Sequence, residues 1–433
     1  IARNPAEHEF HQAVQEFTGA VMPYVMANAK YDDGHVLERM TEPDRIVIFR
    51  VCWEDDNGHI HCNRAWRVQF NNAIGPYKGG LRFHPNVTQS VLKFLAFEQV
   101  YKNALTGLPM GGGKGGSDFD PKGKSDREIM RFCQSLMIEL SKHIGEDTDI
   151  PAGDIGVGGR EISYLFGQYK RITQRYEAGV ITGKSPSWGG TLIRKKATGY
   201  GAVFFCEDML RAVHYEELKG KTALVSGSGN VATYAMEKLR ASGAKVIACS
   251  DSGGVIVHEQ GIDVDAIIRI KEVERQRIYT YLDIHPDAKY IENGNIWDIP
   301  CDIALPCATQ NELEEEDAQT LVNNGCIAVC EGANMPSTPE AIKVFQTNNV
   351  AFAPGKAANA GGVASSALEM QLNATHSSSY EYSEDRLHEI MNHIHKACCQ
   401  TAEEFGEPHN YVLGANIAGF RRVANAMIAF GLI

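Results

Sequence analysis

The stretch KTALVSGSGNVATYAMEKLRASGAKVIACSDSGG, residues 221–254, predicts a strand, a glycine turn, a helix and a second strand. Gly227, Gly229 and Ala232 stand in G-x-G-x-x-A spacing directly after an apolar run, which is the context that a dinucleotide-binding turn requires. The glycines permit a tight turn and let a pyrophosphate approach the backbone, while the N-terminus of the helix offers free N–H groups. We therefore prefer a dinucleotide site over an incidental glycine turn.

Three short β-rich runs follow this stretch and alternate with helical segments. They are CDIALPCA at 301–308, CIAVCEGAN at 326–334 and VAFAPGKAAN at 350–359. Strands that alternate with helices indicate βαβ units and a parallel sheet. We predict a Rossmann-like dinucleotide-binding domain over residues 191–409, with a helical stretch from Glu384 onward.

The residues before the dinucleotide domain predict a second α/β domain. Apolar residues recur with helical spacing over 8–30 and 88–105, and the runs RIVIFRVCW at 45–53 and HCNRAWRVQFN at 61–71 predict strands joined through an Asn-Gly turn. SDRE at 125–128 is a capping box that should begin a helix.

That helix is expected to run to about Ile144, with Gly145 as its stop. The chain has 433 residues, which is too long for one ordinary hydrophobic core. We predict two domains in an α/β fold, the first formed by residues 1–190 together with about 410–433. A ligand is expected to bind in a cleft between them.

Composition excludes several kinds of partner. A net charge of −12 argues against nucleic acid and against an anionic membrane surface. No apolar run is long enough to span a bilayer. Eleven cysteines without a CxxC pair indicate buried thiols in a reducing compartment, so no metal site is predicted. We expect a cytoplasmic protein, and a leader removed before Ile1 is compatible with this expectation.

The choice between NAD and NADP stays open on the residues alone. Asp251 ends the second strand, and an acid there accepts the ribose hydroxyls of NAD. Ser250 and Ser252 flank it and could instead donate to a 2′-phosphate. The basic residues available to such a phosphate are Lys122, Lys271, Arg275 and Arg277. The last three lie on a predicted helix, where a solvated helix face explains their charges equally well.

Lys78, Lys102 and Lys114 are candidate ligands for a dicarboxylate. Lys78 lies in GPYKGGLRF and Lys114 in PMGGGKGGSDFDP, where glycines leave room for a ligand to approach the backbone. Ammonium groups held close together lower one another's pKa. Three unrelated surface lysines are the alternative, which is favoured for Lys102 taken alone. A phosphate-binding P-loop is excluded because Gly115, not Ser or Thr, follows Lys114.

Asp154 is a candidate proton carrier. It lies at the centre of DIPAGDIGVGGRE, residues 149–161. A carboxylate beside a lysine can move protons when its pKa is tuned, although an aspartate bonded to its own turn is the simpler interpretation in isolation. Alongside a hydride-transfer cofactor site and a lysine pocket, we favour the catalytic interpretation.

Nine long strings together resemble the glutamate dehydrogenase family, from about residue 35 to the C-terminus. The similarity is to the small-subunit, homohexameric, NADP-linked branch. The strings are NAIGPYKGGLRF, LPMGGGKGGSDFDP, IPAGDIGVGGREI, LIRKKATGYG, SGSGNVA, ALPCATQNEL, EGANMP, PGKAANAGGVASSALEM and GANIAGF. One departure is Lys195-Lys196, where relatives commonly have proline and an acid.

The resemblance implies reversible oxidative deamination of L-glutamate to 2-oxoglutarate and ammonium. Lys114 would be the catalytic amine and Asp154 the proton carrier. Lys78, helped by Ser366, would bind the side-chain carboxylate, and Lys102 the α-carboxylate. Further substrate-binding residues implied by the resemblance are Gly79, Gly153, Arg194 and Val363.

The resemblance also implies NADP (NADPH) rather than NAD, because NAD-linked relatives often have glycine at the place of Asp251. The cofactor-binding residues that it implies are Lys122, Thr198, Gly227, Gly229, Asn230, Val231, Ala232, Asp251, Ser252, Lys271, Ala308, Thr309, Asn334 and Asn359. The first domain would bind substrate and form the homohexamer.

Two other functions remain open on the sequence. An apolar amino acid dehydrogenase on the same scaffold should lack the pair that clamps a side-chain carboxylate. A non-catalytic NADP-binding regulatory protein would not need both Lys114 and Asp154.

Overall fold

The computed structural model describes residues 2–375 and 380–432, without the side chains of 374, 375 and 380–382. The chain forms two compact units. The first comprises Ile1–Leu192, Ser365–Ser383 and Asn416–Ile433. The second comprises Ile193–Ala364 and Glu384–Ala415. The segment 365–383 is an addition to the first unit that sequence reasoning did not single out.

Residues 2–192 of the first unit form five strands and six α-helices. The strands are β1 (Arg45–Glu54), β2 (Ile60–Asn71), β3 (Tyr77–Phe83), β4 (Gly112–Ser117) and β5 (Asp149–Gly153). The helices are α1 (His8–Met26), α2 (Ala29–Asp32), α3 (Val36–Met40), α4 (Gln89–Leu105), α5 (Asp126–Leu140) and α6 (Gly159–Thr173). Short 3₁₀ turns cover Ala178–Val180 and Pro186–Trp188.

The five strands form one mixed sheet in the order β1-β2-β4-β3-β5. β1 and β2 are the predicted antiparallel hairpin, and β2 also pairs antiparallel with β4. β3 runs parallel to β4 and to β5, so the ends of these three strands carry their neighbouring residues to one region of the sheet. A core that includes Phe83, Phe132 and Leu165 packs one face of the sheet against α5 and α6.

The capping box at the start of α5 is present as predicted. The Ser125 hydroxyl accepts the Glu128 backbone N–H at 3.1 Å, and the Glu128 carboxylate accepts the Ser125 N–H at 2.8 Å. The predicted end of this helix is wrong, because α5 ends at Leu140 rather than near Ile144. A chain reversal occupies the intervening residues, where the His143 N–H bonds the Leu140 carbonyl oxygen.

The second unit is a parallel α/β layer with two antiparallel edge strands. Its strands are β6 (Thr222–Val225), β7 (Lys245–Asp251), β8 (Gly254–Val257), β9 (Lys289–Glu292), β10 (Ile303–Leu305), β11 (Ala328–Cys330) and β12 (Ala351–Ala353). The order in the sheet is β12-β11-β10-β6-β7-β8-β9. The five strands from β12 to β7 are parallel, as the alternating pattern predicted.

Helices cover the strands of the second unit. They are α7 (Ala197–His214), α8 (Asn230–Ala241), α9 (Val264–Ile268), α10 (Glu315–Asn323), α11 (Pro339–Thr347) and α12 (Gly355–Ala358). A π-helical turn spans Arg269–Val273, and 3₁₀ turns span Ile278–Asp283 and Ile296–Asp298. Three further helices, α13 (Gly361–Thr375), α14 (Tyr380–Glu404) and α15 (Tyr411–Phe430), complete the chain.

The described part of the chain contains no helix with the combined length and apolar character that crossing a bilayer requires.

Candidate active site

Lys114 lies in the middle of β4 and is only 7% exposed. Its strand is bordered by β2, where Val68 stands opposite Lys114, and by β3. Every residue of β4 is buried, so the glycine-rich stretch is a core strand rather than an open loop.

The glycines around Lys114 are explained by packing within the protein. A Cβ on Gly79 of β3 would stand 1.7 Å from the carbonyl oxygen of Gly113, and a Cβ on Gly112 would stand 2.4 Å from the Val100 side chain of α4. At these positions only glycine allows the strands and α4 to approach so closely. The expectation that these glycines leave room for a ligand is therefore wrong, because protein atoms fill the space.

Asp154 directly follows β5 and forms an ion pair with Lys114. The Lys114 Nζ lies 3.2 Å from Asp154 Oδ2. Arg82 of β3 donates from Nε to the same oxygen at 2.8 Å. The parallel pairing of β4, β3 and β5 creates this cluster, because it places residues from three distant parts of the chain side by side. Sequence reasoning missed Arg82, whose only signal was its place in the string NAIGPYKGGLRF.

Burial and charge shift the pKa values of both partners. Burial lowers the pKa of the Lys114 amine; the Asp154 carboxylate opposes this, and Arg82 and Arg67 reinforce it. Burial alone would raise the pKa of the Asp154 carboxyl, but the Lys114 and Arg82 cations outweigh it and the net pKa is lowered. The aspartate is thus held ionised, while the lysine is brought closer to its neutral form.

Lys102 is the second cation of this cluster. It lies in the last turn of α4 and is half-buried. Burial and, to a smaller extent, the charge of Lys114 together lower its pKa to about 8, against the opposing effects of Glu98 and Asp154. Lys102 and Lys114 are therefore close together in the first unit, as predicted.

Lys78 on β3 is almost fully buried and reaches a polar group that sequence reasoning missed. Its Nζ donates to Thr182 Oγ1 at 2.8 Å, and Thr182 Oγ1 in turn donates to Ser366 Oγ at 3.3 Å. Lys78 is 2% exposed and Thr182 is fully buried. The predicted association of Lys78 with Ser366 is thus made through one hydroxyl. No sequence pattern marked Thr182, because it lies in a loop far along the chain.

A buried ion pair holds the Thr182 loop to α13. Lys184 Nζ lies 2.7 Å from Glu369 Oε1, and both side chains are fully buried. The Glu369 carboxylate also accepts the backbone N–H of Gly183 at 2.9 Å. Ser366 stands one turn before Glu369 on α13. The Lys184–Glu369 ion pair therefore holds Thr182 near Ser366.

A second buried pair supports the strand that carries Lys78. The Arg67 guanidinium of β2 binds the Asp149 carboxylate through two nitrogens, and both residues are fully buried. Arg67 Nη1 also donates to the carbonyl oxygen of Gly79 at 3.1 Å. Arg67 therefore fixes the backbone next to Lys78. Gly153, the last residue of β5, pairs with Leu81 and immediately precedes Asp154.

The predicted dinucleotide turn lies between β6 and α8 of the second unit. Gly227 adopts φ +84°, a conformation that favours glycine, and its N–H donates to Ser250 Oγ at 2.9 Å. Gly229 is the N-cap of α8, and a Cβ there would meet nothing within 4 Å. The first turn of α8 therefore faces open space, which fits a bound pyrophosphate.

The turn lies at the switch point of the sheet. β6 has β7 on one side and β10 on the other, and Ala308, which follows β10, approaches Gly227 across this point. Dinucleotides bind where strand order reverses in this way, beyond the carboxyl ends of the strands. Asn334 follows β11, and Asn359 is the C-cap of α12, the short helix that follows β12.

Several predicted cofactor residues are fixed by hydrogen bonds. Asn359 Nδ2 donates to Asn334 Oδ1 at 2.8 Å, and the backbone N–H groups of Ala308 and Thr309 both bond Glu312. Asn230 Nδ2 donates to the Lys195 carbonyl oxygen at 2.6 Å. The remaining predicted residues of this unit are Arg194 before α7, Thr198 in its first turn, Val231 and Ala232 in α8, and Val363 in α13.

The acid that ends β7 has a cation beside it. Asp251 accepts the N–H groups of Gly253 at 2.8 Å and Ile278 at 3.2 Å. Arg277 Nη1 donates to Ser252 Oγ at 2.5 Å and lies 3.8 Å from Asp251 Oδ2. An exposed guanidinium beside a serine hydroxyl is suited to a phosphate.

Two other predicted cations have different surroundings from Arg277. Lys271 instead donates to the Gln276 carbonyl oxygen at 3.0 Å. Lys122 is exposed on a turn of the first unit, where its backbone N–H donates to Asp120 Oδ1.

The unusual Lys195-Lys196 pair is neutralised within the second unit. Lys195 Nζ lies 3.2 Å from Glu272 Oε2, and Lys196 Nζ lies 2.6 Å from Glu237 Oε1. Each lysine is matched by an acid on a neighbouring element, so the departure is locally compensated.

A glycine turn at the switch point of a parallel sheet and a buried lysine–aspartate pair are features that a dehydrogenase requires. The chain matches the family model described as glutamate/leucine/phenylalanine/valine dehydrogenase over residues 189–431. It also matches the dimerisation domain of Glu/Leu/Phe/Val dehydrogenases over residues 43–171. The chain belongs to this glutamate/leucine/phenylalanine/valine dehydrogenase family.

Similar proteins cover the whole chain. The NADP-specific glutamate dehydrogenase of Helicobacter pylori is 56% identical over 436 residues, covering 99% of this chain and 97% of the relative. The NAD(P)-specific glutamate dehydrogenase of Xylanibacter ruminicola is 54% identical over 435 residues, covering 100% and 97%. The crystal structure of Plasmodium falciparum glutamate dehydrogenase matches with a TM-score of 0.97 and 50% identity, covering 100% and 93%. The predicted family and two-domain α/β fold are confirmed.

Proposed function

We propose that this protein catalyses the reversible oxidative deamination of L-glutamate to 2-oxoglutarate and ammonium with NADP. One observation carries the choice of glutamate within the family. Lys78 is 2% exposed, and its ammonium is held by Thr182 in the same unit as the Lys114–Asp154 pair. A buried ammonium binds a carboxylate more strongly than an exposed one does, because little water competes for it. Glutamate offers a side-chain carboxylate to this ammonium, whereas leucine and valine do not.

Lys114 and Asp154 are proposed to carry out the proton transfers. With its pKa lowered by burial, Lys114 has a neutral fraction that can take a proton from water as the water attacks the imine carbon of oxidised glutamate. Its ammonium form can polarise the carbonyl oxygen in the reverse direction. Asp154, held ionised beside Lys114 and Arg82, exchanges protons with the substrate nitrogen. NADP, when bound, accepts the hydride that leaves the substrate Cα.

Lys102 is proposed to bind the substrate α-carboxylate. It lies close enough to Lys114 for the charge of Lys114 to lower the Lys102 pKa. A carboxylate bound there would favour the protonated form of Lys102. The bound carboxylate would then offset the charge repulsion between Lys102 and Lys114.

NADP is proposed as the preferred coenzyme. In the second unit, the residues that would hold it are the turn of Gly227 and Gly229 and the pair of Ser252 and Arg277. The relative from Helicobacter pylori is named NADP-specific, whereas that from Xylanibacter ruminicola is named NAD(P)-specific.

Initial rates test the proposal. Purified protein is assayed with glutamate, leucine and valine, each with NADP and with NAD at matched concentrations. We expect kcat/KM to be highest for glutamate with NADP. A higher value for leucine or valine would identify an apolar amino acid dehydrogenase. If NADPH binds but is not oxidised with 2-oxoglutarate and ammonium, the protein is a non-catalytic NADP-binding protein.

We also propose that the enzyme is a cytoplasmic homohexamer. A match to a dimerisation domain over residues 43–171 supports self-association. All eleven cysteines are free thiols, as suits a reducing compartment. Light scattering coupled to size-exclusion chromatography should give six times the chain mass of 47.6 kDa. A monomer or dimer at micromolar concentration would contradict the hexamer.

A further inference from the structure

Two exposed cysteines stand opposite one another on the β1–β2 hairpin. Cys52 of β1 is the direct register partner of Cys62 of β2. Both thiols are free and both residues are exposed.

The hydrogen bonds of β2 show which kind of cross-strand pair this is. The Arg64 N–H bonds Asp118 Oδ1 at 3.0 Å, and the Arg64 carbonyl oxygen accepts the Ser117 hydroxyl at 2.8 Å. The backbone groups of Arg64 therefore point away from β1. Residues two apart in a strand point their backbone groups to the same side, so those of Cys62 also point away.

Cys52 and Cys62 thus form a non-hydrogen-bonded pair. In such pairs the Cα atoms lie about 4.5 Å apart and the side chains are closer than in hydrogen-bonded pairs. Disulfides need Cα atoms about 4.4–6.8 Å apart. The two thiols can therefore be joined without moving the strands.

Cations flank the pair on the same face of the hairpin. Arg50 and Arg64 are opposite one another, two residues before Cys52 and two after Cys62, and both are exposed. Glu54 and Ile60 occupy the other side of the pair. Partial loss of hydration, the neighbouring Cys52 thiol and the charge of Asp118 raise the pKa of Cys62, whereas the charge of Arg50 opposes that rise. The two guanidinium groups favour the approach of an anionic reagent.

We propose that Cys52 and Cys62 are a redox modification site, at which an anionic low-molecular-weight disulfide converts the two thiols into a reversible cross-strand disulfide. One thiolate attacks a sulfur of the reagent and forms a mixed disulfide, releasing one reagent thiolate. The second cysteine, as its thiolate, attacks the protein sulfur of that mixed disulfide and releases the other reagent thiolate. The protein dithiol is oxidised, and one reagent disulfide is reduced to two thiols.

Other neighbouring thiols in the described chain lack this access. Cys326 contributes to the raised pKa of Cys301, and Cys206 to that of Cys330, but all four residues are buried. Attack on a reagent requires an accessible thiolate. These pairs should stay reduced while the protein is folded.

The experiment treats the folded, reduced enzyme with glutathione disulfide and measures the intact mass and the reactive thiols. We expect the wild type to lose two hydrogen atoms per chain, with Cys52 and Cys62 joined in the peptide map, and to recover on addition of dithiothreitol. Cys52→Ser and Cys62→Ser should instead stop at one glutathione adduct per chain. Cys399→Ser, which removes a half-buried thiol on α14, should behave as the wild type.

Charge selectivity is tested with cystamine, a cationic disulfide, at the same concentration. We expect the wild type to react about tenfold more slowly with cystamine than with glutathione disulfide at low ionic strength. Equal rates would overturn the assignment of an anionic reagent. A stable glutathione adduct on the wild type, a covalent dimer, or a disulfide that maps to other cysteines would overturn the site itself.

Discussion

Lys78→Leu should change which substrate the enzyme prefers. The ammonium of Lys78 is 2% exposed and is bonded to Thr182, itself fully buried, so a substrate carboxylate bound there would be largely removed from water. Removing one partner of a buried ion pair costs about 3–5 kcal/mol, because the other charge is left uncompensated. Since each 1.4 kcal/mol is about tenfold, kcat/KM for glutamate should fall by about 100- to 5000-fold.

Norvaline provides the contrast, because its side chain is apolar and needs no counter-ion. The substitution gives that side chain a matching apolar surface, so its kcat/KM should change by less than about tenfold or should rise. Thr182 keeps its hydrogen bond to Ser366 at 3.3 Å, so the local structure should survive. The assay is the initial rate of NADPH formation with each amino acid at saturating NADP.

Lys142→Leu is the matched control. Lys142 belongs to the same unit, but its side chain is 58% exposed and pairs only with Glu139 one turn away. It should leave both substrates unaffected. If Lys78→Leu lowers kcat/KM equally for glutamate and norvaline, the carboxylate clamp is refuted and Lys78 has a general structural role.

Four further predictions concern other parts of the molecule. Lys114→Ala should lower kcat by at least about a hundredfold while the NADPH Kd, measured by fluorescence titration, stays within about twofold, since the turn that would hold NADPH is in the other unit. Arg277→Ala should raise KM for NADPH more than for NADH, and an equal change for both would remove this guanidinium from phosphate recognition. Glu369→Leu should destabilise the first unit by about 3–5 kcal/mol in guanidinium unfolding, and adding Lys184→Met should restore much of the loss. Burial raises the pKa of Glu331 to about 7, so its contribution to the stability of the second unit should be full below its ordinary pKa of 4.5 and should fall as pH rises to 7; Glu331→Gln should lack this dependence.

The second unit could be predicted from the sequence in some detail because its signals are local. The positive φ of Gly227, the N-cap at Gly229 and the strand that precedes them lie within one short stretch. The same is true of the capping box at Ser125, whose partner is three residues away. Such features depend on neighbouring residues and leave a readable pattern.

The first unit was less predictable because its site is assembled across the sheet. The proximity of Lys114 and Asp154 depends on β3 lying between β4 and β5, which no local pattern states. Their association was favoured because a lysine pocket was already predicted, and the resemblance to a known family supported it; no local pattern stated it. Thr182 and Arg82 were missed for the same reason, since each gains its meaning from a partner distant in the chain.

The glycines of β4 show how a correct motif can carry a wrong physical reason. They were expected to clear space for substrate, yet the space beside Gly112 is filled by Val100. Gly112 lets α4, with Lys102 near its end, pack directly against the strand that carries Lys114. Gly115 and Gly116 likewise let β2 and β3 approach that strand closely.

The stoichiometry of the reductive reaction tests the central claim most directly. Enzyme, NADPH, 2-oxoglutarate and ammonium are combined, and the NADPH consumed is compared with the L-glutamate formed, measured chromatographically. We predict one L-glutamate per NADPH oxidised, with no NADPH oxidation when ammonium is omitted and none above background for Lys114→Ala. NADPH oxidation without L-glutamate, or L-glutamate formation that survives the loss of Lys114, would contradict the account.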